Sequence, residues 1–385
     1  MVDFSDEAEA KAWLEAQSRS ACVAFATRCA LRVVPNIATH TDFTLRELAL
    51  PILRATVTSG VTTAEATRRV IDAARRASSA LSDPVSEVVY AGRPSVSVAQ
   101  SLARMAAFSA GSPLLSSFAA AGSAPPLAYS GYSAAAYSAA GIDGMKLDGA
   151  EDGAPVFGTP LWPDGAVPED LAAALDTLRA FWDADPETWG FWRRWYDGML
   201  AGQPLPWDLQ EQVALIPDDI WEAGPEAVAR EIAKIEARFD SLTAAREAEA
   251  YLRARDRDEV GAANPMIGHN RPPLDEALPI APPEIERLLA VVQSIQAHLE
   301  VPEPERETLE AQAEEVESAR QTIGAWFADK LDMAASEFFK EIGKWSGRAA
   351  TLGLGGAALW FLGLLDRLGP LVTNLWNYIR LALAG

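Results

Sequence analysis

The sequence predicts an all-α fold, and three observations support that prediction. Apolar residues recur at helical spacing, as Trp189, Trp192 and Tyr196 do along one helix face. Prolines stand where the first turn of a helix tolerates them, at Pro168 and Pro186. Apolar residues also repeat every seven positions in the acidic C-terminal part of the chain. A hydrophobic content of 49% is sufficient for a packed core.

The first 110 residues predict a helical domain. Its expected helices cover residues 5–35, 43–58, 63–81 and 95–110. The second should kink or split at Pro51, and the third should begin at a capping box formed by Thr62 and Glu65. Cys22 and Cys29 lie two turns apart on one helix, about 10 Å by helix rise, too far for a disulfide. We expect both to be buried free thiols.

Composition changes after this domain. Residues 111–165 are rich in Ala, Ser, Gly and Pro and predict an irregular region. Residues 166–255 predict a helical module that is dense in tryptophan, since seven of the twelve tryptophans lie between Trp162 and Trp221. Tryptophans at helical spacing usually form a core, so we expect these rings to be buried rather than to bind a ligand.

A proline-rich linker is predicted over residues 256–283, and an acidic helical hairpin or stalk over 284–347. Leu309, Val316 and Ile323 repeat every seven residues in the stalk, which favours either packing on a partner helix or a self-associating coiled coil.

The C-terminal segment, residues 348–385, predicts a transmembrane or membrane-embedded helix pair. Residues 349–365 are uncharged and would span about 25 Å as a helix, the lower limit for a bilayer crossing. Three arrangements fit: one crossing followed by an interfacial helix, a helical hairpin that turns at residues 366–370, or a wholly soluble hydrophobic hairpin buried in a partner or in the body of the protein. Asp366 and Arg367 argue against one continuous helix through the membrane.

Flanking residues support the membrane arrangements. Lys340, Lys344 and Arg348 form a basic stripe before the uncharged run, which suits lipid headgroups. Ala349, Gly353 and Ala357 have the spacing that lets two helices approach closely. The predicted membrane or oligomerisation residues are therefore Lys340, Lys344, Arg348, Ala349, Gly353, Ala357, Trp360 and Trp376. Because the basic stripe precedes the segment, the bulk of the chain should be cytoplasmic.

Charge and motif content argue against several classes of function. A net charge of −21 argues against nucleic-acid binding. The three histidines, His40, His269 and His298, lack metal-ligand spacing, so neither a metal nor a cofactor is predicted. No phosphate-binding or nucleophile-elbow motif is present. The acidic pair Asp218 and Asp219 precedes a tryptophan and a proline, which predicts capping or turn roles.

The stretch "MIGHNRPP", residues 266–273, is a candidate docking motif. Its members are Gly268, His269, Asn270, Pro272 and Pro273. This stretch and "WGFWRRWYDGMLAG", residues 189–202, resemble recurring motifs of uncharacterised bacterial helical proteins that place a hydrophobic tail after the linker motif. The resemblance implies an architecture and no activity.

These observations predict a membrane-attached adaptor or scaffold whose cytoplasmic helical body binds protein. Its expected partners are membrane lipid at the C-terminus and another protein or a second copy of the chain. An oligomerising, pore-forming effector is the first alternative, with the polar face of residues 371–384 lining the pore. An enzyme of unknown reaction is the second.

Overall fold

A computed structural model describes residues 6–39, 45–81, 94–111, 134–262, 282–301, 304–341 and 351–383. The described residues are mostly helical and contain no strand, so the all-α prediction is confirmed. The chain forms two compact units, unit 1 over residues 1–232 and unit 2 over residues 233–385. The predicted tryptophan-rich module, 166–255, extends across this boundary.

Unit 1 begins with helices whose breaks follow local capping. The bounds are α1 Glu7–Glu15, α2 Arg19–Val33, α3 Leu45–Ala64, α4 Arg68–Ala80, α5 Pro94–Gly111 and α6 Ala134–Leu147. The single helix predicted over 5–35 is wrong, because Ser18 caps a new helix by accepting from the Ala21 N–H at 3.1 Å. The predicted capping box at Thr62 is also wrong: α3 includes Thr62, and Thr67 caps α4 instead.

The tryptophan-rich helices complete unit 1. Their bounds are α7 Glu169–Ala184, α8 Pro186–Ala201, α9 Trp207–Ala214, α10 Asp218–Glu222 and the start of α11 Pro225–Ala262. The predicted core role of the rings is confirmed, since Trp182, Trp189, Trp192 and Trp195 are each at most 1% exposed. Trp195 Nε1 donates to Gln210 Oε1 at 2.8 Å, so its polar edge is satisfied inside the core. Helix α8 ends at Gly202, whose φ of 71° favours glycine.

A buried ion cluster joins α2 to the segment before α7. Arg28 and Arg32 on α2 both pair with Asp143 on α6, and all three side chains are at most 1% exposed. Arg28 also donates to backbone carbonyls between Val156 and Leu161. Burial in low dielectric lowers the pKa of Arg28, while the Asp143 carboxylate opposes that effect. The cluster therefore fixes the 154–162 segment, part of the region predicted to be irregular, against α2.

Unit 2 packs four helices around an aliphatic core. They are the remainder of α11, α12 Pro282–Glu300, α13 Arg306–Glu341 and α14 Thr351–Leu383. Helix α11 reaches Ala262, so the predicted linker begins later than residue 256. Leu309, Val316 and Ile323 are buried in this core, as the seven-residue repeat indicates. Gln312 Nε2 donates to Ser294 Oγ at 2.7 Å and joins α13 to α12. Self-association through α13 stays a prediction.

Candidate functional site

The C-terminal segment forms one helix, α14, where the sequence predicted a helix pair. The helix runs without a turn through residues 366–370, with Pro370 inside it. Its residues from Leu364 onwards follow the predicted two-sided pattern. Leu364, Leu368, Leu371, Leu375 and Ile379 are buried in the core of unit 2. Packing in unit 2 therefore shields these five apolar side chains from both water and lipid.

Two contacts fix α14 near the start of its packed part. The Arg367 guanidinium lies 4.2 Å from the centre of the Tyr251 ring on α11, a cation–π contact. Gly363 also faces this ring, because a Cβ at that position would lie 2.3 Å from Tyr251 Oη. A larger residue at position 363 would therefore force the Tyr251 ring to shift.

The predicted membrane residues have different outcomes. Trp376 is 38% exposed on the outer face of α14. Gly353, Ala357 and Trp360 belong to α14, and Lys340 to α13, but their side chains lie outside the described part. The remaining predicted residues lie outside the described ranges altogether: Lys344, Arg348, Ala349, Gly268, His269, Asn270, Pro272 and Pro273. The docking motif and the oligomerisation motif thus stay predictions.

Within the described residues, one stretch has the length and hydropathy of a membrane-crossing helix. It is Arg19–Ala38, near the N-terminus, and the apolar window in it is completely buried. Core helices of soluble proteins commonly meet the same two criteria.

Unit 1 carries a cleft between α3, α4 and α10 that the sequence did not reveal. It has a volume of about 480 Å³, within the range of small-molecule sites. Leu50, Pro51, Ala80 and Trp221 supply apolar walls. The charged lining residues are Arg54, Arg75, Arg76, Asp218 and Glu222. We call this the Arg54 cleft.

Arg54 lies at the base of the cleft and is nearly buried, with 7% of its side chain exposed. Its guanidinium is stacked 5.0 Å from the centre of the Trp221 ring and donates to Asp218 Oδ1. Its Nε is buried and has no hydrogen-bond partner. Desolvation lowers the pKa of Arg54, and the hydrogen bond to Asp218 partly offsets this effect.

Asp218 is shared between two arginines. Arg76 Nε on α4 lies 2.8 Å from Asp218 Oδ2, while Arg54 pairs with Oδ1. Partial burial raises the pKa of Asp218, but hydrogen bonds and charge from Arg54 and then Arg76 lower it more, so the net shift is downward. Pro217, and not Asp218, occupies the N-cap of α10. The capping role predicted for Asp218 is therefore wrong.

The cleft could not be found from the sequence, because its residues come from distant parts of the chain. Arg54 and Asp218 are separated by 164 positions. The one local signal was the Asp-Asp pair before Trp221, which is equally typical of a helix start. Among the described residues, no group of three His, Cys, Asp or Glu side chains could hold a metal ion.

Comparison of the chain with protein-family models, curated proteins and solved structures finds no match. The resemblance to bacterial helical proteins consequently stays a prediction.

Proposed function

We propose that this protein is a membrane-attached adaptor, in which the segment at the start of α14 contacts lipid and unit 1 is the binding body. One observation supports the attachment: α14 continues without a break from an uncharged sequence into a helix that is packed in unit 2. A lipid contact at residues 349–362 would therefore be transmitted to the rest of unit 2 by a rigid helix.

The packing of α14 favours shallow insertion over a full crossing. Three residues of the uncharged run already contact the protein: Gly363 faces Tyr251, and Leu364 and Leu365 pack in the core of unit 2. The remaining residues, 349–362, would reach about 21 Å as a helix. A bilayer core is about 30 Å thick. Insertion into the headgroup region, with Lys340, Lys344 and Arg348 near anionic lipid, fits this length without unpacking α14.

Vesicle flotation of the full-length protein tests the proposal. Vesicles of phosphatidylcholine alone are compared with vesicles made of equal parts of phosphatidylcholine and phosphatidylglycerol. We expect binding that is stronger on the anionic vesicles. Trp360→Asp should reduce binding at least tenfold, because a charge in the apolar layer costs about 3 kcal/mol. Trp376→Asp is the matched control, since Trp376 lies on the exposed face of the packed part of α14.

The vesicle assay distinguishes shallow insertion from insertion of the whole of α14 and from pore formation. Equal loss of binding in both variants would indicate that α14 leaves unit 2 and inserts along its whole length. Release of a dye from the vesicles would favour the pore-forming alternative. A full-length protein that stays unbound to both vesicle types would contradict the proposal.

A further inference from the structure

We propose that the Arg54 cleft of unit 1 binds an organic anion, with a carboxylate or phosphate group on Arg76 and Arg75 and an apolar body against Leu50, Pro51 and Ala80. This site goes beyond the proposed membrane attachment, because every residue that lines it belongs to unit 1.

The charge balance of the cleft supports an anionic ligand. Three arginines line the cleft against two acids, Asp218 and Glu222, in a chain whose net charge is −21. Asp72, next to the cleft, pairs with Arg75 at 2.6 Å. Asp218 is a single carboxylate that two guanidiniums share. A second oxyanion in the cleft would accept from guanidinium nitrogens of Arg76 and Arg75 other than those used by Asp218, Gly111 and Asp72.

Arg54 gives an independent reason. A cation that is 93% buried is costly unless its donors are satisfied, and Arg54 Nε has no partner. Asp218, the carboxylate that pairs with Arg54, is itself 39% exposed and therefore partly screened by water, and Glu222 is a second acid near Arg54. An anion above Asp218 would exclude that water and add negative potential close to Arg54. The buried arginine thus favours an occupied cleft over an empty one.

The half-exposed arginines supply the geometry for recognition. Arg76 uses Nε for Asp218, and 47% of its side chain is exposed. Arg75 uses Nε for the Gly111 carbonyl at 2.7 Å, which holds its guanidinium at the cleft. Both arginines are one residue apart on α4 and are anchored by their inner nitrogens. Planar guanidiniums held in this way suit carboxylate and phosphate oxygens.

The apolar walls limit the ligand to one that carries a hydrophobic group. Leu50 and Pro51 come from α3, Ala80 from α4 and Trp221 from α10. A free inorganic anion would leave these walls in water, whereas an aryl or alkyl group would cover them. The expected ligand is therefore amphipathic, and binding should be stronger for phenyl phosphate or phenylacetate than for inorganic phosphate.

Isothermal titration calorimetry on the full-length protein tests the site with three probes: inorganic phosphate, phenyl phosphate and phenylacetate. We expect the two aryl anions to bind at least tenfold more tightly than inorganic phosphate. The stronger of the two identifies the head group, phosphate or carboxylate. Arg76→Gln should weaken binding at least tenfold, because it removes a charged donor at the surface of the cleft.

Arg68→Gln is the matched control, since Arg68 is an exposed arginine on the same helix that does not line the cleft. The Arg68→Gln variant should bind the aryl anions with the same affinity as the unchanged protein. Equal weakening by Arg68→Gln and Arg76→Gln would show diffuse attraction and overturn the proposal. Absence of binding by both aryl anions would overturn it as well, as would inorganic phosphate that binds as tightly as they do. Vesicle binding is a separate measurement, so failure here leaves the membrane proposal in place.

Discussion

The cores of the two units differ in their chemical composition. Unit 1 buries tryptophans together with an ion cluster, in which Arg28 and Arg32 share Asp143. Unit 2 buries alanine and branched aliphatic residues, with a few partly buried polar contacts such as that between Gln312 and Ser294. A core held by shared charges depends on every member of the cluster. An aliphatic core depends on how closely its helices approach.

The largest expected effect tests the charged core. Asp143→Asn removes the carboxylate that two buried guanidiniums share, so we expect the free energy of unfolding to fall by about 3–5 kcal/mol. Urea unfolding followed by tryptophan fluorescence measures this loss, because most tryptophans are in unit 1. Asp164→Asn is the control at an exposed position and should change stability by less than about 0.5 kcal/mol. Similar stability of the two variants would refute the role assigned to the cluster.

A smaller effect tests close approach in unit 2. Gly363→Ala places a methyl group 2.3 Å from Tyr251 Oη, and relief requires the ring to move off the Arg367 guanidinium. We expect a loss of about 1–3 kcal/mol and faster hydrogen exchange in α14. Gly369→Ala is the matched control, because nothing lies within 4 Å of its Cβ position.

In the control, alanine should stabilise the helix by up to about 1 kcal/mol. If both glycine variants shift stability in the same direction, the contact between α14 and Tyr251 does not limit packing in unit 2.

A third prediction concerns the accessibility of the cysteines in unit 1. Both cysteines of the chain are buried in unit 1, as the sequence predicted, and burial raises the pKa of the Cys22 thiol to about 11. Its folded pKa is above the ordinary value of 9.0, so near pH 8 the thiolate fraction should be about a hundredfold lower than in an unfolded chain.

Labelling with a thiol reagent at pH 8 should therefore be slow in the native protein. The rate should rise by about a hundredfold or more in Asp143→Asn and stay unchanged in Gly363→Ala. Rapid labelling of the native protein would show that the α2 region opens easily and would contradict this prediction.

Comparison of sequence and structure shows which expectations local patterns could support. Pro186 at the start of α8, the buried tryptophan face and the seven-residue repeat at Leu309 were all recognisable, because helix period and capping act within one or two turns. The break at Ser18 was missed because the residues on both sides of it suit a helix, and the cap hydrogen bond of Ser18 was not recognised in the sequence. The position of α14 was missed because apolar residues suit a bilayer and a helical core equally well.

The all-α class, the extent of α5, the start of α8 and the burial of the tryptophan face could be read from the sequence, since these follow from side-chain spacing along one chain segment. Tertiary structure alone decided that Asp143 neutralises two arginines, that Arg54 meets Asp218 and that the stripe from Leu364 to Ile379 packs within unit 2. Those contacts join residues that are far apart in the chain. Which residues make these contacts depends on which surfaces fit together, and the spacing of residues along the chain does not specify that fit.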